Sequence, residues 1–271
     1  MRADDVQSTE PVRHGAYLCL TVPGAARAAV AEADVPGLAE RLGLVNEFDN
    51  ADPPLSIAYL RRVGAFPRDI ADEGLAGADV IVHVAAPTGD PVAAFCASLA
   101  RMLGPELGLR VLGGVVRPMM YTSLTTFNFS YGHRVLQGPG AEMPHVFLVP
   151  LRKSAQWWGK DWMERHTYFL PRYRENGMDA EGHTFAARAG IDHLMRRTYR
   201  SPVEPAVGGE YDFVSYFECA DEGVPVFHET CDALRDVGRN PEWAYVSEGP
   251  TWQGVRVAGW AELFVARGVV A

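Results

Sequence analysis

In the run MDAEGHTFAARAG, residues 178 to 190, His183 is followed at three and four positions by Ala186 and Ala187. On a helix those three side chains share a face, with Asp179 placed to cap it. Small neighbours let a flat macrocycle approach the backbone, and a histidine so placed suits the axial position under haem iron. Thirteen residues after His183, the segment IDHLMRRTYRS reads as a strand whose side chains alternate between two faces. Asp192, Leu194, Arg196 and Thr198 fall on one face, and His193, Met195, Arg197 and Tyr199 on the other. A guanidinium on an apolar-flanked face can sit over a metal-bound anion, because its charge is fixed and its donors are forked. Upstream, VPLRKSAQWW carries the pair Trp157-Trp158, with Arg165 eight positions after Trp157. Paired tryptophans suit the covering of a large flat surface.

These residues need elements to hold them. GAYLCLTVP, LSIAYLRRVGAF, ADVIVHVAA and LRVLGGVVRPMMY predict strands in the first half of the chain. ARAAVAEADVPGLAERLG predicts helix interrupted at Pro36. DPVAAFCASLARMLG predicts a helix with Asp90 as N-cap, Pro91 at its first position and Gly104 as its stop. After a polar, Gly-rich link, MPHVFLVPLRKS opens a second set of strands. The second set repeats the first: Met195-Arg196-Arg197 falls on Leu60-Arg61-Arg62, Asp212 on Asp79, Phe227 on Phe95 and Leu234 on Leu103. Two separate antiparallel sheets would leave open edges and uncovered faces, so the pattern predicts sheets joined into a barrel-like core with helices outside.

At 271 residues, 48% hydrophobic and 22% charged, the chain has the composition of a globular protein with a substantial core. It lacks an apolar run long enough to span a membrane, and its first dozen residues carry acids where a signal peptide has a basic start. The expectation is a soluble, cytoplasmic protein. A formal charge of -9 disfavours nucleic-acid or anionic-membrane surfaces and leaves small molecules as the expected partners. The segment 151 to 200 is locally +4, which would draw an anionic ligand. Cys19, Cys96, Cys219 and Cys231 stand apart, without CxxC spacing, so neither a zinc knuckle nor a disulfide framework is indicated.

From Val149 to about Val257 the sequence resembles the chlorite dismutases, haem b enzymes of the dimeric α/β barrel superfamily. The resemblance is carried by Arg152, Lys153, Ala155, Trp157 and Trp158, then Arg165, His183-Thr184, Arg196-Arg197, Tyr199 and Ser201. Asp212-Phe213, Tyr216-Phe217-Glu218 and Gly249-Pro250-Thr251 with Gly254 continue it. It implies an α+β fold of duplicated ferredoxin-like modules forming a dimeric α/β barrel-like fold within one chain. Residues 1–13 would be a disordered or extended N-terminus, 14–135 the first module and 136–271 the second, haem-binding one.

It further implies haem b as cofactor, His183 as the iron ligand and Arg196 as the distal catalytic arginine. Arg117 would lie near a haem propionate, and Trp157, Trp158, Leu194 and Thr198 beside the macrocycle. The implied chemistry is cleavage of a bond to oxygen in a small substrate, with chlorite to chloride and dioxygen as the precedent. The implied assembly is a homo-oligomer, of which a pentamer is the family's common form. Three features depart from the family: roughly eleven additional residues between Arg165 and His183, His166 as a competing ligand, and Arg239 where the glutamate behind the proximal imidazole is expected, with Glu242 three positions on. A haem lyase acting on an N–O bond, as in aldoxime dehydratases, and a non-catalytic haem-binding protein stay open as alternatives.

Overall fold

The computed structural model describes residues 12–64, 72–116, 129, 134–208 and 210–265. The first half contributes β1 (Arg13–Thr21), β2 (Val45–Asn46), β3 (Ser56–Arg62), β4 (Val80–Ala86) and β5 (Gly108–Val116), with β1, β3 and β4 buried along most of their length because both sheet faces are covered. The second half contributes β6 (His145–Lys153), β7 (Arg172–Arg174), β8 (Gly177–Ala180), β9 (Met195–Arg200), β10 (Phe213–Cys219), β11 (Val246–Glu248) and β12 (Trp252–Val257). The helices are α1 (Arg27–Ala31), α2 (Val35–Arg41), α3 (Glu73–Ala76), α4 (Gly89–Leu103), α5 (Ala155–Trp158), α6 (Trp162–Thr167), α7 (Gly182–Ala186) and α8 (Gly223–Arg235).

The sheet runs β5-β1-β4-β3 through the first half and β12-β6-β10-β9 through the second. Antiparallel pairing of β3 with β12 and of β5 with β9 joins the halves, so eight strands close on themselves. Each half therefore has the same strand order, and closure removes the open edges that either half has alone. We propose 14–135 and 136–271 as the bounds of the two modules.

The duplication extends to single hydrogen bonds. Asp79, just before β4, accepts from Val22 N at 2.8 Å, and Asp212, just before β10, accepts from Lys153 N at 2.6 Å. Their carbonyls take Arg62 N and Ser201 N. That register corrects one expectation. With Asp212 on Asp79, it is Arg200 that occupies the place of Arg61, since Arg61 faces Val80 and Arg200 faces Phe213. The two Arg-Arg pairs are thus not equivalent positions, and the β3–β4 connection is the longer of the two.

Three local expectations also change. The helical stretch is interrupted as expected, but between Ala31 and Val35; Pro36 is the second residue of α2, in its first turn under an Asp34 cap. The N-cap of α4 is Thr88, so Asp90 lies inside the first turn, while Gly104 with φ 79° stops the helix as expected. Asp179 caps no helix: it lies in β8 and pairs with Arg174 at 3.1 Å.

On the outer face of the first half, Leu18, Leu20, Val82 and Val84 pack under Phe95 and Leu99 of α4 and under Trp260. On the second half, Phe227 of α8 stacks on Phe147 at 3.7 Å, but the sheet beyond is not filled by side chains.

Candidate functional site

A cavity of about 490 Å³ opens there. One wall is a single face of three strands, made by Val149, Leu151 and Lys153 of β6, Arg196, Thr198 and Arg200 of β9, and Phe213, Ser215 and Phe217 of β10. The alternation expected here holds from Met195, with Met195, Arg197 and Tyr199 buried on the opposite face, inside the barrel, whereas Asp192 and His193 lie in the turn before β9 and are exposed. The far wall comes from His183, Thr184, Ala187, Gly190 and Ile191, from Thr230, Cys231 and Leu234 of α8, and from Glu242. Trp157, Trp158 and Leu194 line it as well, as does His166.

His183 is held from behind. Its Nδ1 lies 2.7 Å from Glu242 Oε2, and Lys153 Nζ donates to Glu242 Oε1 at 2.6 Å. Burial alone would raise the Glu242 carboxyl, yet the charges and hydrogen bonds of His183 and Lys153 hold it at about 2. The carboxylate is ionised, and the imidazole is oriented with Nε2 lacking a hydrogen-bond partner among the described residues.

The chain achieves this by tying α7 down at its first residues. Glu181 N and Gly182 N both donate to Arg239 O at 2.9 Å, and the Arg239 guanidinium bonds Glu181 Oε2 at 3.0 Å. Arg239 thus anchors the helix, and the turn Pro241–Tyr245 that follows it delivers Glu242 to the imidazole. Gly182 must be glycine: its φ is +68°, and a Cβ there would meet Leu170 O at 2.4 Å. The additional residues before His183 form the hairpin of β7 and β8, which leaves from α6 and returns to this tether.

His166 has no such support. It rests against Trp162 and Phe169, burial lowers its pKa, and no carboxylate partner orients it among the described residues. The carboxylate behind His183 marks it as the better metal ligand.

Opposite, Thr198 Oγ1 and Ser215 Oγ lie 3.4 Å apart beside Arg196. Trp158 stacks on Phe213 at 6.3 Å with the Arg165 guanidinium 5.4 Å from its ring, and its buried Nε1 has no partner among the described residues. Trp157 is buried under Lys153 Nζ, 4.3 Å from its ring. The structure therefore brings His183, Trp157, Trp158, Leu194, Arg196 and Thr198 to one cavity. Arg117 lies outside the described residues. Sequence reasoning assigned no part to Lys153; its signal was a lysine at the end of β6, four residues before Trp157.

No family model and no curated protein matches the chain. Solved structures do. The chlorite dismutase of Candidatus Nitrospira defluvii in complex with imidazole superimposes with a TM-score of 0.66 at 21% identity, covering 93% of each chain. A mutant of the same enzyme in complex with cyanide gives 0.65 at 20% identity, over 97% of this chain and 98% of that one. At these identities the likeness is one of fold, and the chain has the chlorite dismutase fold over nearly its whole length.

Proposed function

We propose that the protein is a haem b enzyme that cleaves a bond to oxygen in a small anionic substrate, with chlorite as the precedent set by its structural neighbours. The observation that carries this reading is the Lys153–Glu242–His183 relay facing Arg196 across one cavity. The donor set fits the group. An apolar slot offers one imidazole nitrogen without a partner, small residues Ala187 and Gly190 beside it, and an orphaned Trp158 Nε1–H suited to a carboxylate at the rim.

His183 Nε2 would hold the iron, and the slot between the β6–β10–β9 face and α7 would hold the macrocycle. Bound haem supplies a ferric centre able to take a small oxyanion and exchange electrons with it. The rest is the work of the chain. Glu242 accepts the Nδ1–H of His183, fixing the tautomer and strengthening the imidazole as a donor. Lys153 balances the carboxylate, so that its charge can stay buried. Arg196 holds a fixed positive charge where the substrate anion binds and where charge grows on the departing oxygen. Leu151, Phe213 and Phe217 exclude water, which strengthens that charge.

The test is direct. The protein reconstituted with haem should show a Soret band and evolve dioxygen from chlorite. A protein that takes up no haem would overturn the reading, and haem uptake with no turnover of chlorite would overturn the named reaction.

A further inference from the structure

The reverse of the cavity's sheet holds a second concentration of chemistry. Thr198 and Ser215 face the cavity, and their chain neighbours Tyr199 and Tyr216 face the barrel interior, one strand's thickness away. There Tyr199 is 2.9 Å from His83 Nε2 through its phenol oxygen, and His83 Nδ1 faces Glu47 Oε2 at 3.8 Å. Tyr17 stacks on His83 at 4.6 Å and meets the edge of Tyr199 at 5.4 Å. Tyr216, whose ring lies 5.7 Å from that of His83 and 5.6 Å from that of Tyr17, donates to Glu218 Oε1 at 2.6 Å. Tyr17, His83, Tyr199, Tyr216, Glu47 and Glu218 are all buried, and none has a part in the site above.

The fold clears space for this group. A Cβ on Gly15 would stand 2.4 Å from the Tyr199 ring, and one on Gly114 would stand 2.9 Å from Tyr199 Cβ. Packing alone would accept phenylalanine at 199, so the hydroxyl needs its own account. A phenol that loses an electron becomes a strong acid, and it keeps the vacancy only if a base already hydrogen-bonded to it takes the proton.

We propose that Tyr199 and His83 are a proton-coupled redox pair that takes up one-electron oxidising equivalents from the neighbouring cavity. The electron passes from the Tyr199 phenol to an oxidised haem across the sheet, which is reduced by one electron. The O–H bond of Tyr199 breaks, and its proton forms an N–H bond at His83 Nε2. Glu47 stabilises the resulting imidazolium. Burial keeps the Tyr199 phenol protonated, with its pKa pushed up to about 12, and keeps His83 neutral, so the resting pair is a donor facing a free base. The haem as oxidant rests on the reading of the cavity given above; the chemistry of the pair does not.

The experiment oxidises the purified protein, without added haem, by flash photolysis of tris(bipyridine)ruthenium(II) with persulfate, and records electron paramagnetic resonance near neutral pH. The expected signal is a neutral tyrosyl radical with a hydrogen-bond coupling that exchanges in deuterium oxide, lost in Tyr199→Phe. Absence of a tyrosyl radical, a radical unchanged in Tyr199→Phe, or a wild-type radical without the exchangeable coupling overturns the pair. The coupling is read on the wild-type protein, so the folding of the variant does not decide the matter. Haem-loaded protein treated with peroxide should give the same radical. If ruthenium generates it and peroxide does not, the pair stands and the haem as its oxidant is overturned.

Discussion

His183 has Glu242 on Nδ1 and nothing on Nε2 among the described residues, so the side chain is committed to one task. His183→Ala should abolish stable haem binding, seen as loss of the Soret band from reconstituted protein; retained haem with unchanged spin state would move the ligand to His166. Arg196→Ala should leave haem content intact and weaken cyanide or fluoride binding about ten- to hundredfold, the scale of a charge-assisted hydrogen bond of about 1.5–3 kcal/mol. Equal affinities in an anion titration would remove Arg196 from the site. Inside the barrel, burial pushes the Glu218 carboxyl up to about 7 from a usual 4.5. The folded state therefore holds this proton more tightly than the unfolded chain does. The contribution is full below about pH 4.5 and is lost as pH rises towards 7. Glu218→Gln should flatten the decline in stability between those values, measured by denaturant unfolding at several pH values.

Much of what happens at single elements was legible beforehand, and what was not has identifiable causes. The alternation of β9 and the stop at Gly104 follow from local rules, and both are present. Asp179 satisfies the composition of a cap, but Arg172 and Arg174 across the β7–β8 turn draw it into a hairpin, a tertiary partner that spacing does not reveal. The repeated Arg-Arg pair suggested a register four residues off, because identical letters outweighed the aspartates that fix the ladders. Glu242 meets His183 across 59 residues of sequence because Arg239 ties α7 down just before the turn that carries it, and Lys153 joins them from a separate strand through Glu242 alone. The interior cluster of Tyr17, His83 and Tyr199 gathers strands from both modules; the alternation of β9 placed Tyr199 on the face away from Arg196, and nothing in the sequence joined it to Tyr17 or His83. Gly182 tests the tether itself. Gly182→Ala forces a left-handed residue against Leu170 O and should cost at least about 2 kcal/mol. That corresponds to a fall of roughly 4–8 °C in Tm, with weaker haem retention; an unchanged Tm would show that α7 can be repositioned freely.

For the molecule as a whole, Trp162, Met163, Tyr173 and Met178 stand 45–65% exposed on the outer surface, a set of large apolar side chains suited to contact with another copy. We expect a homo-oligomer by light scattering at micromolar concentration, and a monomer there would refute it. Among the described residues no helix is long and apolar enough to cross a membrane.

Closure of the barrel also sets an order of events during synthesis. As the ribosome releases the chain, β1, β4, β3 and β5 can pair first; β5 and the Tyr59–Arg62 end of β3, beyond the part that β2 covers, then leave bare hydrogen-bonding groups at the two edges. Their covers, β12 and β9, emerge much later; the Arg62–Gly254 pairing spans most of the chain. Until then the nascent first module is complementary to another copy of itself, since each module has the same strand order. Crowded translation on one message therefore gives neighbouring chains the chance to exchange modules before their own second halves arrive.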